Sequence, residues 1–121
     1  ADFICNANIV DGVIESVADG KAVCVMGKLR LRLPCRSQRS GEASFAVRPE
    51  AILLSPAQPD SAMVVRVARA TYLGREMQYT LETPVGELFA VSHDLSQVFT
   101  QGTSVAMTVH EHGAAIIGGQ A

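Results

Sequence analysis

Apolar and polar residues alternate with a period of two along almost the whole chain, and that pattern restricts it to strands. Leu29, Leu31 and Leu33 alternate with Lys28, Arg30 and Arg32. Phe45 and Val47 alternate with Ser44, Ala46 and Arg48, and Met77, Tyr79 and Leu81 with Gln78, Thr80 and Glu82. Val105, Met107 and Val109 alternate with Ser104, Ala106, Thr108 and His110. Successive side chains on a strand face opposite ways, so each run offers one apolar face to a core. Less regular runs at 9–17, 22–26, 63–73, 87–91 and 114–117 read as more deeply buried strands. Asp19-Gly20 and Pro84-Val85-Gly86 read as hairpin connections. Only 92–100 has helical spacing, with Leu95, Val98 and Phe99 at i, i+3 and i+4 and Ser92 or Asp94 as N-cap. It is long enough for one or two turns. This many short strands, separated by turns, predict a barrel or sandwich.

The strand series occurs twice. Val13-Ile14-Glu15-Ser16-Val17, a turn, Val23-Cys24-Val25, Gly27, Leu29, Gly41 and Phe45-Ala46-Val47 form one array. Val65-Arg66-Val67-Ala68-Arg69, Gly74, Tyr79-Thr80-Leu81, Gly86, Leu88, Gly102 and Val105-Ala106-Met107 form the other. Neither array is long enough to close a stable barrel alone, so the halves are expected to share one core. The reading divides the chain into a first half at 9–54, a Pro-rich polar hinge at 55–61, a second half at 62–118 and a tail at 119–121.

The 121 residues suffice for a core without staples. With 48% hydrophobic residues, the composition excludes a disordered segment. Ten basic against twelve acidic residues give a net charge of −2, so no global positive field draws in nucleic acid. Cys5, Cys24 and Cys35 are odd in number and their spacings fit no zinc or redox pattern, which points to a reducing compartment. The chain begins at Ala1 without a signal segment and reads as a piece of a longer polypeptide.

Catalytic chemistry is hard to place on these residues. No Gly-rich loop is followed by the lysine and hydroxyl that a nucleotide-hydrolysing site needs. His110 and His112 stand two apart, with Glu111 expected to point the other way, but a metal needs a third ligand and the remaining histidine is His93. Cys24, between two valines, reads as core, and Cys35 stands beside Arg36 without a neighbouring base. Lys28, Arg30, Arg32, Arg36 and Arg39 fall within twelve positions that contain no acid. Lys28, Arg30 and Arg32 are expected on one strand face, either as a solvated edge or as a grip for an anion or acidic partner. Nucleic acid is not expected there, because no aromatic residue interleaves the stripe for base stacking. In Arg48-Pro49-Glu50 the proline holds Arg48 extended at a strand end. Arg48 is then placed for an ion pair at the corner or for a ligand contact.

Four segments together resemble the TOBE domain, an OB-fold-like module at the C-terminus of ATP-binding subunits of ABC importers. Ala1-Asp2-Phe3-Ile4 with Asn8 resembles the join from the ATPase domain, here 1–8, although Cys5 stands where the family usually has glycine. Phe45-Ala46-Val47-Arg48-Pro49-Glu50 resembles the family's apolar-Arg-Pro-Glu motif, and Ala70-Thr71-Tyr72-Leu73-Gly74 its aromatic-Leu-Gly step. Gly102 with Val105 resembles its last strand entry. The likeness is nearest to the polyamine, iron and sugar importer type. It implies an all-β, OB-fold-like barrel built from two related halves of short antiparallel strands, with at most one short helix.

The resemblance also implies a regulatory and dimerising role that couples ATPase subunits during solute import, without catalysis by this segment. ATP and magnesium would be held by an ATPase domain upstream, about 230 residues with a P-loop, and no cofactor by the segment itself. The implied partners are a second copy of the chain, permease subunits reached through the ATPase domain, and a small-molecule regulator. The implied location is the cytoplasmic face of the cell membrane. Lys28, Arg30, Arg32, Arg48, Glu50, Tyr72, Leu73 and Gly74 are the candidate interface or ligand residues. A separate reading is a small-ligand module for oxyanions or sugars, motivated by Thr71, Thr80, Ser92 and the arginine stripe near glycine turns.

Overall fold

A computed structural model describes residues 2–4, 7–36 and 39–119. The period-two runs are strands. In chain order they are β1 (Asp2–Ile4), β2 (Ala7–Ala18), β3 (Lys21–Met26), β4 (Leu29–Pro34), β5 (Gly41–Val47), β6 (Ile52–Pro56), β7 (Val64–Tyr72), β8 (Met77–Thr83), β9 (Gly86–Ser92), β10 (Ser104–Val109) and β11 (Ala114–Gly119). Alternation decides which face is buried. On β4, Leu29, Leu31 and Leu33 turn inward while Arg30 and Arg32 face water. On β8, Met77, Tyr79 and Leu81 turn inward. Fully burying such a side chain contributes about 1.5–3 kcal/mol.

All pairings are antiparallel and form two sheets. One runs β11-β5-β2-β3-β4 with β1 added to β2, the other β6-β10-β7-β8-β9. The expected duplication is therefore visible in topology. In each half the fourth strand returns beside the first, a Greek-key order: β5-β2-β3-β4 and β10-β7-β8-β9. Each half then hands its fifth strand to the other sheet. β6 pairs with β10, and β11 pairs with β5. The bulges match as well, between Ile14 and Ser16 in β2 and between Val67 and Arg69 in β7.

β4 approaches β11 and β6 approaches β9, so both sheets curl toward closure. The architecture is an all-β, OB-fold-like half-barrel in two related sheets. One continuous core fills it, with Val10, Ile14, Phe45 and Val47 from the first half meeting Met63, Val67, Leu88 and Met107 from the second.

One expectation of secondary structure needs correction. Residues 92–100 form no helix; β9 runs through Ser92 and the remainder is turn and loop. Ser92 Oγ accepts from Asp94 N–H and Asp94 Oδ1 from Ser96 N–H, so both candidate caps close local turns instead. Phe99 N–H then bonds the Tyr79 hydroxyl at 3.2 Å, a tertiary contact that outcompetes a helix too short to nucleate. At the start of the 55–61 stretch, Ser55 and Pro56 pair with Ala106 and Val105. Pro56 is tolerated there because β6 is an edge strand. Among the described residues of 1–8, β1 pairs with β2, and Ala7 and Asn8 belong to β2.

The turns follow local chemistry. Asp19 and Gly20 take φ of 53° and 73°, the primed turn that matches strand twist. Pro84-Val85 forms another two-residue turn, where the Thr83 hydroxyl accepts from Val85 N–H and donates to Gly86 C=O. Two 3₁₀ turns, Pro49–Ala51 and Glu111–Gly113, lead into the exchanged strands β6 and β11.

Candidate functional site

The two 3₁₀ turns meet in a seam with reciprocal backbone bonds. Arg48 N–H donates to Gly113 C=O at 2.9 Å, and His110 N–H donates to Ala51 C=O at 2.8 Å. Each turn also closes on itself, Ala51 N–H to Arg48 C=O and Gly113 N–H to His110 C=O, both at 3.0 Å. A Cβ on Gly113 would lie 2.2 Å from the Ala51 Cβ, so the close approach requires glycine. Proline holds Arg48 extended, as expected, with φ −69° and ψ 140°. Its side chain is exposed and, among the described residues, makes neither the corner ion pair nor a hydrogen bond. Glu50 is exposed likewise, next to the buried Pro49.

The histidine pair belongs to the same seam. His112 N–H donates to His110 Nδ1 at 3.2 Å, capping the turn, and the rings stand 4.9 Å apart. Glu111 points away from them, and its Oε2 accepts from Arg32 N–H at 3.0 Å. That carboxylate covers a donor on the free edge of β4. His93 lies elsewhere, in a cleft between β6 and the 92–100 loop. Among the described residues no three His, Cys, Asp or Glu side chains are grouped to hold a metal.

The basic stripe is dispersed. Lys28 occupies the turn before β4 rather than the strand. Arg30 and Arg32 share the outward face of β4, and Arg30 Nη2 pairs with Glu15 Oε2 at 3.0 Å. Arg36 and Arg39 lie in the following loop. Tyr72, Leu73 and Gly74 mark the β7–β8 connection. Tyr72 is 64% exposed and Leu73 51%, an apolar pair held in place because the Tyr72 hydroxyl donates to Gly74 C=O at 2.9 Å. Leu73 N–H donates to Glu76 C=O at 2.9 Å, which fixes the turn.

Thr71 and Thr80 come together with Arg69 and Gln78 around a cavity of about 260 Å³ on the second sheet. Ser92 lines the neighbouring cleft, and the basic stripe is on the other sheet. Cys24 lies in the core, and burial pushes its thiol up to about 11. Cys35 is buried too, and Cys5 lies outside the described residues.

Sequence reasoning missed the role of Asn8. It is 1% exposed and fully satisfied. Its Oδ1 accepts from Phe89 N–H at 2.8 Å, and its Nδ2 donates to Phe89 C=O at 2.8 Å and Val47 C=O at 3.1 Å. One amide thus behaves as a strand neighbour to β9 while holding β5, and so links the two sheets. The available signal was an Asn directly before the apolar Ile9-Val10 pair, a residue type that is buried only when paired.

Comparison with known proteins gives a family match to the TOBE domain over residues 45–117. The chain is 36% identical over 117 residues to the "Fe(3+) ions import ATP-binding protein FbpC" of Brucella abortus (strain 2308), covering 97% of this chain and 33% of that protein. The protein of the same name from Agrobacterium fabrum is 34% identical over the same share of each. The "Spermidine/putrescine import ATP-binding protein PotA" of Rubrobacter xylanophilus is 38% identical over 91 residues, 71% of this chain and 24% of its own length. The chain thus spans about a third of the first relatives. In fold it is similar to the cytoplasmic molybdate-binding protein ModG, with TM-score 0.76 and 14% identity, covering 97% of this chain and 99% of that one. No helix among the described residues is long and apolar enough to cross a membrane.

Proposed function

The chain belongs to the TOBE domain family, and from that premise we propose that it is the C-terminal regulatory and dimerising domain of an ABC importer's ATP-binding subunit. It would hold two subunits together while their nucleotide sites open, so that opening is a hinge motion and not a dissociation. The observation that carries this reading is the near-complete match of the chain to a third of an import ATP-binding protein. The fold supports it mechanically. Strand exchange, a shared core and the Asn8 bridge make both halves one rigid body, which is what a load-transmitting module needs. ATP and magnesium belong to the ATPase domain, the permease is reached through that domain, and the chain works at the cytoplasmic face of the membrane.

The exposed Tyr72-Leu73 turn is the surface offered for a second copy, which a symmetric dimer would use on both partners. The test uses a full-length ATP-binding protein with and without this segment. Light scattering is recorded with ATP and again after hydrolysis. The intact protein should stay dimeric after hydrolysis, and the truncated one should dimerise only with ATP. Equal dimer fractions in both proteins would refute the coupling role. Tyr72→Ser with Leu73→Ser should lower the dimer fraction, whereas Arg30→Glu with Arg32→Glu should not.

A second reading, binding of a small oxyanion or sugar, is favoured by the convergence of Thr71, Thr80, Gln78 and Arg69 on one cavity. A thermal-shift series with molybdate, sulfate, phosphate and sugars tests it. Saturation at 100 times Kd adds about 2.7 kcal/mol, so an unmoved melting curve with every ligand rejects it.

A further inference from the structure

The two 3₁₀ turns present side chains that the fold does not use. Arg48 and Glu50 from one turn and His112 from the other line a single cavity of about 510 Å³. Its floor is small-walled, with Ala46 and Ala115 opposite each other on β5 and β11 and Gly113 beside them. The mounts are rigid, because the reciprocal bonds between the turns fix both backbones and Pro49 and Ala51 are buried. Among the described residues, neither the guanidinium of Arg48 nor the carboxylate of Glu50 is neutralised by an ion pair or a side-chain hydrogen bond.

A cation and an anion therefore face the same space without pairing with each other. A simple oxyanion would satisfy Arg48 but be repelled by Glu50. A simple cation meets the reverse problem. A molecule that carries both signs a few bonds apart satisfies both. The alanine and glycine floor leaves room for it, and the His112 imidazole offers a further polar contact on the far wall. We propose that this cavity binds a small zwitterion of the α-amino-acid type, with its carboxylate on Arg48 and its ammonium on Glu50. This site is distinct from the Arg69 cavity and does not depend on the coupling role, so its failure leaves that role standing.

The test is calorimetric titration of the 121-residue chain with the standard α-amino acids up to about 10 mM, a range that reaches millimolar affinities. At least one should bind saturably. Its N-acetyl derivative, which lacks the ammonium, and its methyl ester, which lacks the carboxylate, should each bind at least tenfold more weakly. Arg48→Gln and Glu50→Gln should each weaken binding by a similar factor. Ala115→Phe, which fills the floor from an exposed position and changes no charge, should abolish it. Thermal melts check that each variant is folded. Absence of saturable heat with every amino acid would overturn the proposal. So would binding that survives both charge substitutions, or sulfate competing as well as the amino acid, the mark of a plain anion site.

Discussion

Replacing Asn8 with leucine should cost more stability than any single exposed substitution, for a reason visible in three hydrogen bonds. Leucine keeps the branched skeleton of asparagine, but its methyls cannot approach to the 2.8 Å of the present contacts, so the change removes polarity and adds some crowding. Asn8 is 1% exposed, so water does not replace it. The Phe89 N–H and C=O both lose the partner they have at 2.8 Å, and Val47 C=O loses one at 3.1 Å. A buried group deprived of its partner costs about 1–3 kcal/mol, so the two Phe89 groups together cost about 2–6 kcal/mol. The carbonyl of Val47 adds less, since a carbonyl has two lone pairs. Domains are stable by only about 5–15 kcal/mol, so this is a large share. With urea slopes of about 1–3 kcal/mol/M, the unfolding midpoint should fall by on the order of 1 M or more.

Asn8→Asp separates polarity from geometry. The acceptor to Phe89 N–H survives, but the one nitrogen that donates to both carbonyls is replaced by an oxygen facing them. The buried carboxyl is then held protonated above its usual range. A folded-state pKa raised in this way stabilises below the unfolded value and loses that contribution as pH rises. The gap between wild type and Asn8→Asp should therefore widen from pH 4 to pH 8. If Asn8→Leu unfolds within about 0.5 kcal/mol of wild type, the range of an ordinary surface change, Asn8 does not join the sheets and the reasoning fails.

Further expectations concern the seam, the thiols and the 92–100 loop. Gly113→Val should destabilise by about 1–3 kcal/mol through overpacking against Ala51, read by chemical unfolding; combining it with Ala51→Gly should recover part of the loss. Cys24, buried with its thiol pushed up to about 11, should resist thiol reagents at pH 8 in the native state and react on unfolding. A native Cys24 that reacts as fast as a free thiol would contradict its burial. The Ser96 hydroxyl and amide hold the Asp94 carboxyl below its ordinary value. This depressed group favours the folded turn above the usual aspartate range and loses that effect as pH falls through its lowered pKa. In NMR titration, Ser96→Ala should move the Asp94 midpoint upward.

Much of this molecule was determined by local pattern. Side-chain period alone separates Leu29, Leu31 and Leu33 from Arg30 and Arg32, because a strand turns alternate residues to opposite faces whatever its neighbours are. Asp19-Gly20 declares its turn, since few other pairs accept positive φ twice. The duplicated order of strands and glycines anticipated the two matching sheets. Strand partnership was decided only in three dimensions. β6 and β11 carry no mark that sends each to the opposite half, because ladder hydrogen bonds are made by backbone groups that every residue shares. The capping residues near 92–100 served turns once Tyr79 could claim Phe99. Arg48 and Glu50 stand far from His112 along the chain, and the three share one cavity only because strand exchange brings the two 3₁₀ turns together. Asn8 looks unremarkable in sequence, and its value comes from a strand 81 residues away whose backbone groups it meets. Period and turn chemistry act over a few residues, while sites and bridges depend on which distant segments the shared core makes neighbours.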